Sequence, residues 1–164
     1  APEGSKYNEN LYKLYWEDQK DRLETYTDDS LKLWERDKDR YEQALSFYDD
    51  YKNDSLELTP ADKFHLSMLF QHGQDSSDYK RAWELSEKSA QEGDERAKWL
   101  SCASEDRYLL SIGKKQRWGT QYKAKESGGL MLQPMLSDEE SGITDQMRLD
   151  KNVPIRSVSE RRVS

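Results

Sequence analysis

The sequence predicts a mainly α-helical protein: a bundle or hairpin array of about five helices with a small C-terminal β-hairpin or loop region. Three observations predict it. Apolar residues recur at i, i+4, i+7, i+8 along the N-terminal part of the chain, the spacing of one helix face. Cap residues and glycines punctuate the chain at helix-length intervals. The third is compositional. Only 34% of residues are hydrophobic against 36% charged, a balance usual in disordered chains. Yet 5 Trp, 10 Tyr and 3 Phe are present, and each such ring buries about 150–250 Å². Narrow apolar stripes with charged outer faces reconcile the two.

The first helix is expected over Tyr7 to Thr25, with Tyr7, Leu11, Leu14 and Tyr15 on one face. Asp28, Asp29 and Ser30 offer N-caps for a second, whose stripe is Leu31, Trp34, Tyr41, Leu45 and Tyr48. The alternating charges from Glu35 to Arg40 read as a solvated face. The two helices are expected as an antiparallel pair.

Thr59-Pro60 opens a third helix, with Thr as N-cap, Pro at the first helical position and Asp62 in the first turn. Gly73 ends it. Ser77-Asp78 is expected to cap a fourth helix running to Gly93, and Asp94 a fifth from about Glu95 to Ile112, stopped by Gly113. Ala82, Ser86, Ser89 and Ala90 on one, and Ala97, Ser101, Ala103 and Ser104 on the other, predict a tight helical hairpin. Two short strands, Thr120 to Lys123 and Leu130 to Gln133, are expected across Ser127-Gly128-Gly129. A short helix capped by Thr144 runs to Asp150, and from Val153 the chain is expected to be extended or disordered. The domain reading is a single helical domain over 1–150 and a basic, flexible tail over 151–164. Within the domain, 1–58 is an acidic helical pair and 59–123 the motif-bearing core.

Residues 1–58 carry 16 acidic and 9 basic side chains. An acidic surface argues against nucleic acid as the partner, since phosphate binding needs a basic face. No apolar run approaches the roughly 18–20 residues that span a bilayer, so no membrane contact is expected. No signal-peptide pattern is present, and a start at Ala1-Pro2 fits a processed mature chain or a cut boundary; the compartment stays open. Cys102 is the single cysteine and reads as a buried structural thiol.

His65 and His72 are the only histidines. Seven residues apart on one helix, they stand about 10.5 Å apart along its axis, too far for the i, i+4 pair of a metal site. Each alone is a candidate general acid or base. Asp106 and Arg107 sit late on the fifth helix. Gly113 to Gln121 then leaves that helix through a glycine and reaches a second, Gly119, before two polar residues. Gln116 and Gln121 offer both donors and acceptors. The segment lacks the Gly-Lys-Ser/Thr of a phosphate-binding P-loop.

Gln71-His72-Gly73, the hairpin from Ala82 to Leu100, Asp106-Arg107-Tyr108-Leu109 and Gly113 to Gln121 together resemble a family of small helical proteins from bacteria and fungi. That family shares Gln-His-Gly, a hairpin like those of Sel1 or tetratricopeptide repeats, Asp-Arg-Tyr-Leu and Gly-Lys-x-Gln-x-aromatic-Gly-Thr-Gln. Thr144-Asp145, Arg148 and Val153-Pro154 resemble its closing segment. The family has no assigned activity, so the resemblance implies positions rather than a reaction.

The functional expectation is a small metal-independent enzyme or ligand-binding protein, without cofactor, acting on a small polar molecule. His65 or His72 would be acid or base and Asp106 would orient it. Arg107 would take an anionic group, and Gln116, Trp118, Thr120 and Gln121 would line the pocket. The alternative is a helical module that binds a peptide or protein partner in a groove.

Overall fold

The computed structural model describes residues 7–23 and 30–161. The expected helix end at Thr25, the caps Asp28 and Asp29, the side chains of Ser30 and Leu31, and residues 162–164 lie outside that description. The architecture is mainly helical with one small antiparallel sheet near the C-terminus. Its elements are α1 (Glu9–Leu23), α2 (Ser30–Lys52), α3 (Pro60–Gln71), α4 (Ser76–Gln91), α5 (Arg96–Ser111), β1 (Tyr122–Ala124), β2 (Leu130–Leu132), α6 (Asp138–Ser141), α7 (Asp145–Asp150) and α8 (Arg156–Arg161). No helix among the described residues is long and apolar enough to cross a membrane.

Helix α3 is the hub, because nine of its 12 residues are buried. A helix buried on every side must be covered on every side. The helices α1 and α2 cover one part of it and α4 another, while α5 packs along α4. The main core joins Leu11 and Leu14 of α1, Ala44 of α2, Leu66, Leu69 and Phe70 of α3, and Ala82 and Leu85 of α4. The small residues work as expected: Ala82, Ser86, Ser89, Ala97, Ala103 and Ser104 are fully buried. Serine hydroxyls also tie α3 to α4, with Ser67 Oγ of α3 donating to the Ala82 carbonyl and Ser89 Oγ of α4 to the Pro60 carbonyl, each at 2.7 Å.

Thr59 and Asp62 form a reciprocal capping box at the start of α3. The cap of α4 is Asp75 rather than Ser77-Asp78, since the Asp75 carboxylate accepts from the Asp78 N–H. Gly93 and Gly113 end α4 and α5 with positive φ, at 107° and 78°. The N–H of the residue after each reaches back to a carbonyl five positions earlier, Asp94 to Ser89 and Lys114 to Leu109, as in a Schellman motif. The β-hairpin pairs Tyr122 with Leu132, Lys123 with Met131 and Ala124 with Leu130.

The stretch expected as a flexible tail is folded through Arg161. Asn152 adopts φ 58° and ends α7 in the same motif, with the Val153 N–H on the Arg148 carbonyl at 2.8 Å. The turn sends Val153 into a second apolar cluster with Cys102, Trp118 and Ile143. Arg148, fully buried, donates to Asp138 at 2.6 Å and to Asp145 at 2.9 Å. Arg156 joins Asp138 at 3.0 Å, and Tyr122 Oη donates to the Ser159 carbonyl. Arg156 of this segment is ion-paired to Asp138 and Glu160.

Candidate functional site

The last turn of α3 places His72 at a corner, where it is the C-terminal cap residue of the helix. Gly73 makes the corner possible: a Cβ there would lie 2.5 Å from the Asp78 Cβ. Asp78, folded onto that glycine, accepts from the Gln74 N–H at 3.1 Å, from Tyr41 Oη at 2.7 Å and from Arg81 at 3.1 Å. Burial and the Asp78 carboxylate push the Tyr41 phenol up to about 12, so it stays a neutral donor.

So held, His72 meets α1. Its Nδ1 lies 2.7 Å from Asp18 Oδ2, and the Asp18 side chain is only 4% exposed. Arg22 pairs with the same carboxylate at 3.1 Å. Burial alone would raise the Asp18 carboxyl, but the His72 hydrogen bond and the His72 and Arg22 charges outweigh it and hold it below the ordinary carboxylate value. An ionised carboxylate 2.7 Å away requires a proton on Nδ1. Arg22 Nε also stands 2.7 Å from Nδ1, and two N–H groups cannot donate to each other, so Arg22 serves Asp18 rather than the imidazole. Asp18 thereby fixes the tautomer that leaves the lone pair of a neutral His72 on Nε2, and no hydrogen bond to Nε2 is formed among the described residues.

His72, Asp18 and Arg22 line a cavity of about 370 Å³, together with Trp34 and Arg40 of α2 and Asp78 of α4. Its volume is in the lower part of the range of small-molecule sites, about 300–1,000 Å³. Arg40 is 5% exposed and donates to Asp21 at 2.7 Å and Asp37 at 2.5 Å. The Glu35 to Arg40 run is therefore not wholly a solvated face. Neither Asp18 nor Arg40 was anticipated as a site residue, although each bears a signal. Asp18 lies seven residues beyond Leu11, and Arg40 four before Ala44, both buried. These are charges in register with apolar stripes.

The other residues expected at a site lie elsewhere. His65 is 2% exposed, and neither ring nitrogen has a hydrogen-bond partner. It packs against Tyr12, Tyr15 and Phe64 at 5.3, 4.6 and 5.9 Å between ring centroids. Burial, with the Arg96 charge, lowers its pKa to about 4. It is a neutral core residue, not a second acid or base.

Asp106 does not orient a histidine. Fully buried, it accepts from the N–H groups of Arg117, Trp118 and Thr120 and from Thr120 Oγ1, at 2.8, 2.9, 3.1 and 2.7 Å. Burial raises its pKa against the pull of those four bonds. Gln116 is likewise filled, its amide donating to the Gln121 and Gln133 carbonyls and accepting from the Gln121 N–H, each near 3.0 Å. Trp118 is 7% exposed, its indole donating to Glu105, and the Gln121 amide donates to Thr120 Oγ1. The Gly-Thr-Gln segment is a clamp that fastens the C-terminal region onto α5. Arg107 comes nearest the cavity: its Nη1 donates to the Gln71 carbonyl at 2.9 Å, one residue before His72, with the guanidinium over the Tyr79 ring.

Among the described residues, no group of three or more His, Cys, Asp and Glu side chains is arranged to hold a metal ion. Cys102 is 2% exposed, and burial pushes its thiol up to about 12, as suits a structural thiol. Compared with protein-family models, curated proteins and solved structures, the chain has no match.

Proposed function

We propose that this protein binds a small polar molecule in the His72 cavity and performs acid–base chemistry on it, with no metal ion or cofactor in the reaction. His72 Nε2 takes or gives the proton. Asp18 holds the ring and stabilises the imidazolium that forms, the role Asp106 was expected to play. The observation that carries the reading is the buried Asp18 set 2.7 Å from His72 Nδ1 beside an open cavity. Buried carboxylate, imidazole and vacant second nitrogen are the parts of a histidine general base.

The test screens small polar metabolites by thermal shift. Saturation at 100 times the dissociation constant adds about 2.7 kcal/mol, a shift of several degrees for a chain of this size. Compounds that shift the midpoint are then followed for turnover. His72→Gln is expected to stay folded and to lower turnover by about 10²–10⁴. Unchanged turnover in that variant would remove the acid–base role.

A second reading, a helical module holding a peptide or protein partner, is favoured by one feature. Tyr12, Trp16 and Leu23 are 38%, 51% and 79% exposed and share one stripe of α1. Substitution of Trp16 and Leu23 by Ser would then abolish partner capture while leaving every metabolite shift intact.

A further inference from the structure

The cavity carries charges of both signs, but they are not equally available. Asp18 is occupied by His72 and Arg22, and Asp78 by Tyr41, Arg81 and the Gln74 N–H. Asp75 gives one oxygen to the cap of α4, and Asp37 one to Arg40. The oxygens left over on Asp37 and Asp75 belong to side chains open to water, which solvates them at no penalty.

The cations differ. Arg40 is 5% exposed, and its Nε has no hydrogen-bond partner, with Asp18 Oδ1 4.0 Å away. The guanidinium is committed to Asp18, Asp21 and Asp37 and offers a ligand no open donor. Lys38 is exposed, and no carboxylate pairs with it among the described residues; its ammonium lies 5.6 Å from the centroid of the Trp34 ring. Trp34 itself is 55% exposed at the cavity, and among the described residues its ring makes no ring–ring contact.

We infer that the His72 cavity takes a planar aromatic compound carrying one anionic group, a carboxylate or a phosphate. Its ring lies on Trp34, and its anion is held by Lys38. The inference rests on reading the cavity as a small-molecule site. It narrows that reading to a ligand class and assigns Trp34 and Lys38 as the residues that select it.

The test is calorimetric titration of the full chain with benzoate and phenyl phosphate. The controls are benzamide (neutral), benzamidine (cationic), and acetate and inorganic phosphate (anionic, no ring). At least one aromatic anion is expected to bind saturably with a dissociation constant of about 1 mM or tighter, reasonable for so small a ligand. The tighter of the two identifies the head group. Lys38→Gln and Trp34→Leu, both at exposed positions that leave the fold intact, are each expected to weaken it about tenfold. His72→Gln is expected to change it by no more than about threefold, because proton transfer is not what holds the anion.

Failure of both aromatic anions to bind, equal or tighter binding of benzamide or benzamidine, or unchanged affinity in both variants would overturn the ligand class. None of these results touches the turnover test on His72. Conversely, loss of the acid–base role in that test leaves anion binding through Trp34 and Lys38 standing.

Discussion

At the scale of single residues, His65 and His72 show how little a residue type says without its surroundings. They share a helix, yet His72 meets a buried carboxylate and an open cavity, whereas His65 sits among three aromatic rings with no polar partner. The environment of His65 makes a pH prediction. Its pKa falls from 6.5 to about 4 on folding, so below 6.5 the unfolded chain binds a proton that the folded one refuses. Stability is therefore intact above 6.5 and is lost as pH falls towards 4, by about 3 kcal/mol. Asp18, depressed below 3.8, loses its contribution only below that value and does not blur the window. His65→Phe keeps a ring in the box and removes the titration. In urea unfolding, the variant should gain on wild type steadily from about pH 6.5 to 4. A difference independent of pH would mean that His65 is not held neutral. The two histidines were legible as candidates; which one lines a cavity and which is core was not. That depended on Asp18 and the tyrosines, which come from another helix.

At the scale of elements, most boundaries were written locally. Thr59-Pro60 with Asp62, Gly93 and Gly113 perform the cap and stop chemistry their residue types dictate. Asn152 carried the same stop signal for α7 and went unread, although Asn is the residue after Gly best suited to that conformation. Gly73 looks like another helix stop, but its reason is space rather than φ. The Asp78 side chain occupies the volume a Cβ would need, and Asp78 also holds Tyr41 of α2. Gly73→Ala should therefore destabilise the fold by about 1–3 kcal/mol through overpacking, read as a lower urea midpoint. The same change should weaken any ligand of the His72 cavity, because Asp78, which lines it, must move. A neutral effect on both would show that the corner yields without strain.

At the scale of the whole molecule, α1, α2 and α4 meet around α3, and the last turns of the chain fold back against α5. Arg148 and Arg156 are anchored in ion pairs to Asp138, and Val153 is buried. Trypsin acting on the native chain should therefore spare the bonds after Arg148 and Arg156 until global unfolding. Early cleavage there would restore the picture of a flexible tail. The sequence by itself determined the helical class, the third helix with its Thr59 cap, the small-residue hairpin and the strand pair, because periodicity, caps and glycine stops act over a few residues. Only the tertiary structure decided which polar groups are filled and which line a cavity. Asp106, Gln116 and Thr120 look like chemistry in one dimension and prove to be a filled hydrogen-bond clamp. Arg40 looks like solvated surface and Trp34 like core, and both prove to line one cavity with Asp18 and His72. Whether a polar group is free to act depends on which partners reach it, and those partners stand 32–54 residues from His72 along the chain, where no local pattern carries the information.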